Sequence, residues 1–158
     1  MEKLAEDESS YVREEVARNL NASKETLTKL ATDEEPDIRY WVATNSKAAI
    51  DILESLAEDN DIDVKLAVVD NVNSTPELLA KLSKEEDVAI RSTVAKSSNI
   101  DKETYIRLSE DRSWEVRIAI AENPKTCEKI LLKLAEDEAW MIRQAVAENP
   151  NSTRYILE

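Results

Sequence analysis

Residues 108–124 read Leu108-Ser-Glu-Asp-Arg-Ser-Trp-Glu-Val-Arg-Ile-Ala-Ile-Ala-Glu-Asn-Pro, and residues 134–150 read Leu134-Ala-Glu-Asp-Glu-Ala-Trp-Met-Ile-Arg-Gln-Ala-Val-Ala-Glu-Asn-Pro. The second stretch restates the first 26 residues later, and the same phrase runs through the rest of the chain. Leu4, Leu30, Leu56, Leu82, Leu108 and Leu134 stand 26 residues apart, so the 158 residues fall into gapless rows: 4–29, 30–55, 56–81, 82–107, 108–133 and 134–158. Self-similarity at a fixed short period is the signature of an array whose units bury their cores against one another. The reading is one repeat domain over residues 1–158.

Four columns carry the phrase. An acid follows each leucine: Asp7, Asp33, Asp59, Glu85, Asp111 and Asp137. A β-branched residue with a base comes next, and the bases are Arg13, Arg39, Lys65, Arg91, Arg117 and Arg143. One helical turn later stands Val16, Val42, Val68, Val94, Ile120 or Val146, and a turn residue closes the phrase at Asn19, Asn45, Asn71, Ser97, Asn123 or Asn149.

Each row therefore predicts two short helices. The first, called helix A, spans 62–70 in the third row, with Ser9, Glu35, Asp61, Asp87 or Ser113 in the N-cap place and Pro36 at the favoured first position. It ends at the asparagine column. A chain without glycine must close its helices on a left-handed asparagine or avoid that conformation. The second, helix B, is expected over 76–85, with Ser23, Thr75, Asp101 and Thr153 as N-caps. Leu78, Leu79, Leu82 and Ser83 share one face of it. Helices this short are marginal alone in water and persist only by stacking.

Composition removes most chemistry. There is no histidine, the commonest acid–base group and metal ligand, and no glycine for a phosphate-cradling loop. The single Cys127 can form neither an internal disulfide nor a cysteine-rich metal site, and is read as a small structural residue. Asp59-Asn-Asp61-Ile-Asp63 resembles the start of a calcium loop, but Val64 stands where the turn glycine belongs and Asp70 where the closing glutamate belongs. No cofactor and no metal are expected. The opening residues carry no apolar signal core, and no run approaches the roughly 18 apolar residues of a membrane span. A cytoplasmic protein is the expectation.

The repeated Leu-x-Glu-Asp…(Val/Ile)-Arg…Ala-Glu-Asn-Pro phrase resembles the leucine-rich repeat variant family. Asn73-Ser-Thr-Pro-Glu-Leu-Leu resembles its turn and second helix. The resemblance covers the whole chain. It implies an all-α, right-handed solenoid of six two-helix repeats, in which one helix per repeat can be 3-10, and a scaffold instead of an activity. One family member carries an iron–sulfur cluster on an additional cysteine-bearing segment, and nothing here matches that segment. The acid-then-Val-Arg spacing is also similar to HEAT repeats, where such residues form a ladder between units. A base flanked by apolar neighbours, as Arg117 is, needs a partner, and the acid column supplies one in every row.

The outward positions of helix A vary from row to row, and Tyr11, Tyr40, Trp41, Leu66, Ile118 and Met141 are the candidate partner-binding residues. A competing reading has Tyr40, Trp41 and Leu66 filling gaps between rows. Trp114 and Trp140 share a column with Ile62 and Val88, which suggests packing between rows. The chain carries 34 acids against 21 bases, net −13. The acidity centres on residues 30–81, so a protein or peptide with a basic or mixed surface is favoured as partner. Nucleic acid and membrane are disfavoured. The alternatives are a HEAT-like nucleic-acid-binding or DNA-glycosylase-type protein, and a purely structural, even engineered, array. The first row opens directly on Leu4 and the last stops within helix B, so end-to-end self-association is a further expectation.

Overall fold

The computed structural model describes residues 2–153 and 156, and among these every regular element is helical. After a 3-10 turn at Leu4–Glu6 come α1 (Ser10–Arg18), α2 (Lys24–Leu30), α3 (Pro36–Thr44), α4 (Ile50–Leu56), α5 (Ile62–Asp70) and α6 (Pro76–Leu82). They are followed by α7 (Val88–Lys96), α8 (Lys102–Ser109), α9 (Trp114–Glu122), α10 (Glu128–Leu134) and α11 (Trp140–Glu148). The odd-numbered helices are helix A and the even-numbered ones helix B. The second helix of the last row falls largely on residues 154–158, outside the described residues except Ile156. The chain forms two compact units, Met1–Leu78 and Leu79–Glu158. Lys65, Glu85 and Ser97, which depart from the Arg, Asp and Asn columns, lie on either side of that boundary in the sequence.

In the first unit α3 packs between α1 and α5, with α2 and α4 behind it; in the second, α9 packs between α7 and α11, with α8 and α10 behind. Leu30, Leu56, Leu82, Leu108 and Leu134 each end or nearly end a helix B and are fully buried, as are Ile38, Val64, Val116 and Ile142 on helix A. Burying such a side chain contributes about 1.5–3 kcal/mol relative to leaving it exposed, which is what lets helices of two turns persist. Leu4, the first leucine of the column, is exposed.

Helix A occupies the expected 62–70, but helix B stops at Leu82 instead of running to 85. Its last turn tightens: the amides of Lys84 and Glu85 bond three residues back, to Lys81 and Leu82. That tightening frees the next residues to turn toward the following helix. Both helices of each pair are α, so the 3-10 helix allowed by the resemblance is confined, among the described residues, to Leu4–Glu6. Asp61, Asp87, Ser113, Ser23, Thr75 and Asp101 do cap with their side chains. Ser9 and Glu35 do not; their amides donate to Asp7 and Asp33.

The asparagines do not adopt the left-handed conformation. No described residue has positive φ, and Asn19, Asn45, Asn71, Asn123 and Asn149 are all extended. Each bends the chain with its side chain, its Oδ1 accepting the amide two residues on. The other half of the amide reaches back a full row. Asn45 Nδ2 donates to Ala17 O at 2.7 Å and Asn19 O at 3.3 Å. Asn71 does the same to Ala43 and Asn45, Asn123 to Ala95 and Ser97, and Asn149 to Ala121 and Asn123. Those alanine carbonyls are among the last of helix A and have no partner within their own helix. Thus α1, α3, α7 and α9 are each capped by an asparagine from the next row, and the fully buried Ala17, Ala43, Ala95 and Ala121 leave room for that approach.

Candidate functional site

The base column makes a second set of contacts between rows. Arg13 donates from Nε and Nη2 to both oxygens of Asp33 at 2.7 and 3.0 Å, and from Nη1 to the Asp7 carbonyl at 2.9 Å. Arg39 repeats this on Asp59 and the Asp33 carbonyl. In the second unit Arg91 holds Asp111 and the Glu85 carbonyl, and Arg117 holds Asp137 and the Asp111 carbonyl. Arg143 donates to the Asp137 and Glu138 carbonyls, and Lys65 and Glu85 are half-buried. Each aspartate in these rungs also accepts an amide two residues on, fixing the turn into helix A. A guanidinium fork suits this task because it grips a carboxylate with two nitrogens and still has a third for a carbonyl.

The electrostatics follow the geometry. Arg39 and Arg117 hold the carboxyls of Asp59 and Asp137 below the usual aspartate range. For Asp33 and Asp111 burial is the largest influence and pushes upward, yet the bonds from Arg13 and Arg91 and from the turn amides carry both carboxyls below the ordinary value. The partner guanidiniums are raised by the same bonds. Carboxylates held this way are structural anions, not proton donors poised for chemistry. Asp59 and Asp61, the first acids of the calcium-like stretch, are engaged with Arg39 and with the N-terminus of α5.

The outward face of helix A is where side chains remain available. In the first unit Tyr11 on α1 is 80% exposed, while Tyr40 and Trp41 on α3 and Leu66 on α5 are half-buried. Tyr40 and Trp41 meet edge to face with ring centroids 5.2 Å apart. Arg18, one row earlier, lays its guanidinium over the indole of Trp41 at 4.4 Å, a contact the sequence reading did not assign. Beside Tyr40 opens a cleft of about 290 Å³ lined by Pro36, Asp37, Asp61 and Asp63. In the second unit Ile118 and Met141 are half-buried on α9 and α11.

Trp114 and Trp140 overturn the expectation of packing between rows. They are 44% and 63% exposed. Both occupy the first position of their helices. Cys127 is the exposed N-cap residue of α10 and makes no capping bond.

No protein-family model matches the chain, and no curated protein matches it. A solved structure described as "a leucine-rich repeat variant with a novel repetitive protein structural motif" is similar to it, with a TM-score of 0.75 and 30% identity. The match covers 93% of this chain and 59% of that one, so this chain spans about three fifths of that protein's length. Helix pairs closed row upon row by the same phrase, and superposing over nearly the whole sequence, give the chain the leucine-rich repeat variant fold.

Proposed function

We propose that the chain is a non-enzymatic, cytoplasmic scaffold whose first unit binds a protein or peptide of basic or mixed surface on the face formed by α1, α3 and α5. The observation that supports this most directly is the Tyr40–Trp41 pair on α3, half exposed beside a cleft that carries Asp37, Asp61 and Asp63. Exposed aromatic area supplies contact energy at low entropic cost, and the carboxylates favour a cationic partner. Trp41 already holds one guanidinium, that of Arg18, so the surface suits the side chain the partner would bring. The enzymatic alternative has little to draw on, since the recurring carboxylates are tied to arginines and the chain contains no histidine.

The test is an array of arginine- and lysine-bearing peptides probed with the full chain and with a Tyr40→Ala/Trp41→Ala variant. Capture of a subset of peptides, lost in the variant while its circular dichroism is unchanged, is the expected result. A folded variant that captures the same peptides equally well overturns the proposal. A shift of duplex DNA by the chain in a low-salt gel would favour the nucleic-acid reading instead.

A further inference from the structure

The second unit carries a surface of the opposite character on its helix B side. Between α8 and α10 lies a groove of about 310 Å³ lined by Ile106 and Ile130 together with Lys102, Lys129, Lys133 and Glu110. Ile106 is 43% exposed there, whereas Tyr105 and Leu108 on the same helix are buried. Lys102 and Ile106 are one turn apart on α8, and Lys129 and Lys133 one turn apart on α10, so the cations line both walls. Lys133 is paired with Glu110. Lys102 and Lys129 have no ion-pair partner among the described residues. In a chain of net charge −13, a groove lined by three lysines against one glutamate is an electrostatic exception.

We propose that this groove docks an acidic amphipathic helix of a partner protein, its apolar stripe on Ile106 and Ile130 and its carboxylates on Lys102 and Lys129. The two lysines select the charge of the occupant, and the apolar pair between them suits the apolar stripe of a helix. This surface is independent of the Tyr40–Trp41 face and of what binds there.

The test uses the full chain and a fluorescein-labelled peptide with leucines at i, i+3, i+4 and i+7 and glutamates between them. Anisotropy should report binding that weakens with salt, whereas the same peptide with lysines for glutamates should not bind. Lys102→Glu/Lys129→Glu should weaken the acidic peptide by about ten-fold or more. Tyr40→Ala/Trp41→Ala should leave it unchanged. Cys127, exposed in the groove wall and the chain's sole thiol, gives a second readout: the bound peptide should slow its reaction with a thiol reagent. Equal binding by the charge-reversed variant, or equal binding of the lysine peptide, overturns the proposal. So does self-association of the chain that the same reversal abolishes, since a second copy would then be the occupant.

Discussion

Two recurring side chains hydrogen-bond successive rows within each unit, and both work because they have more than one donor. The arginine grips the next aspartate while holding its own turn, so removing it strands a carboxylate that is nearly inaccessible. Arg91 is buried with Asp111, and Lys96 on the same helix is exposed. Arg91→Ala should therefore cost about 3 kcal/mol of stability, and Lys96→Ala about 0.5 kcal/mol or less, by urea denaturation. Equal midpoints would mean that the rung contributes nothing. The asparagine is the second joint. Asn123→Ala removes two donors from the Ala95 and Ser97 carbonyls and the acceptor for the Lys125 amide, and should cost about 1–3 kcal/mol in the same measurement. Asn123→Asp keeps the acceptor and loses the donors, so it should not rescue stability.

At the scale of the element, these helices are too short to stand alone, and their stability is borrowed from the leucines behind them. Leu56 is fully buried at the end of α4. Leu56→Ala should destabilise by about 2–5 kcal/mol, with a lower thermal midpoint and unchanged helix content at low temperature. Asp101 accepts the Thr104 amide at 2.7 Å at the start of α8, and Asp101→Ala should cost about 1 kcal/mol by the same thermal melt. The exposed tryptophans at the starts of α9 and α11 show how position on a helix outranks residue type. The large apolar side chain at the first position of α9 or α11 stays exposed, whereas a leucine one turn from the end of helix B is enclosed.

At the scale of the whole molecule, the rungs make stability depend on acidity. Asp33, Asp59, Asp111 and Asp137 all sit below the ordinary aspartate range when folded. The unfolded chain therefore takes up protons first as pH falls. The stability these groups contribute is complete above the unfolded value of about 4 and is lost as pH drops through the folded values. Thermal midpoints should hold between about pH 5 and 7 and fall steeply below about pH 4. A variant carrying Asp111→Asn should be less stable at neutral pH and show a shallower acid loss. A flat profile down to about pH 2 would contradict the rungs' contribution.

What the amino-acid sequence determined by itself was the period and everything that follows from period. The 26-residue spacing of the leucines and the acid and base columns that form a ladder between repeats are strictly repeated signals, legible six times over, and the caps at Asp61, Asp87 and Asp101 are local ones. The second function of the asparagines was not legible. Residue type marks a turn at Asn45, but only the stacked coordinates bring its amide to the Ala17 carbonyl, 28 residues back. The same holds for Arg18 over Trp41, for the exposure of Trp114 and Trp140, and for the lysine-rimmed groove between α8 and α10. Each depends on which side chains from successive rows arrive at one place, and that is settled by the distance and rotation between packed helices, quantities that no column of the alignment carries.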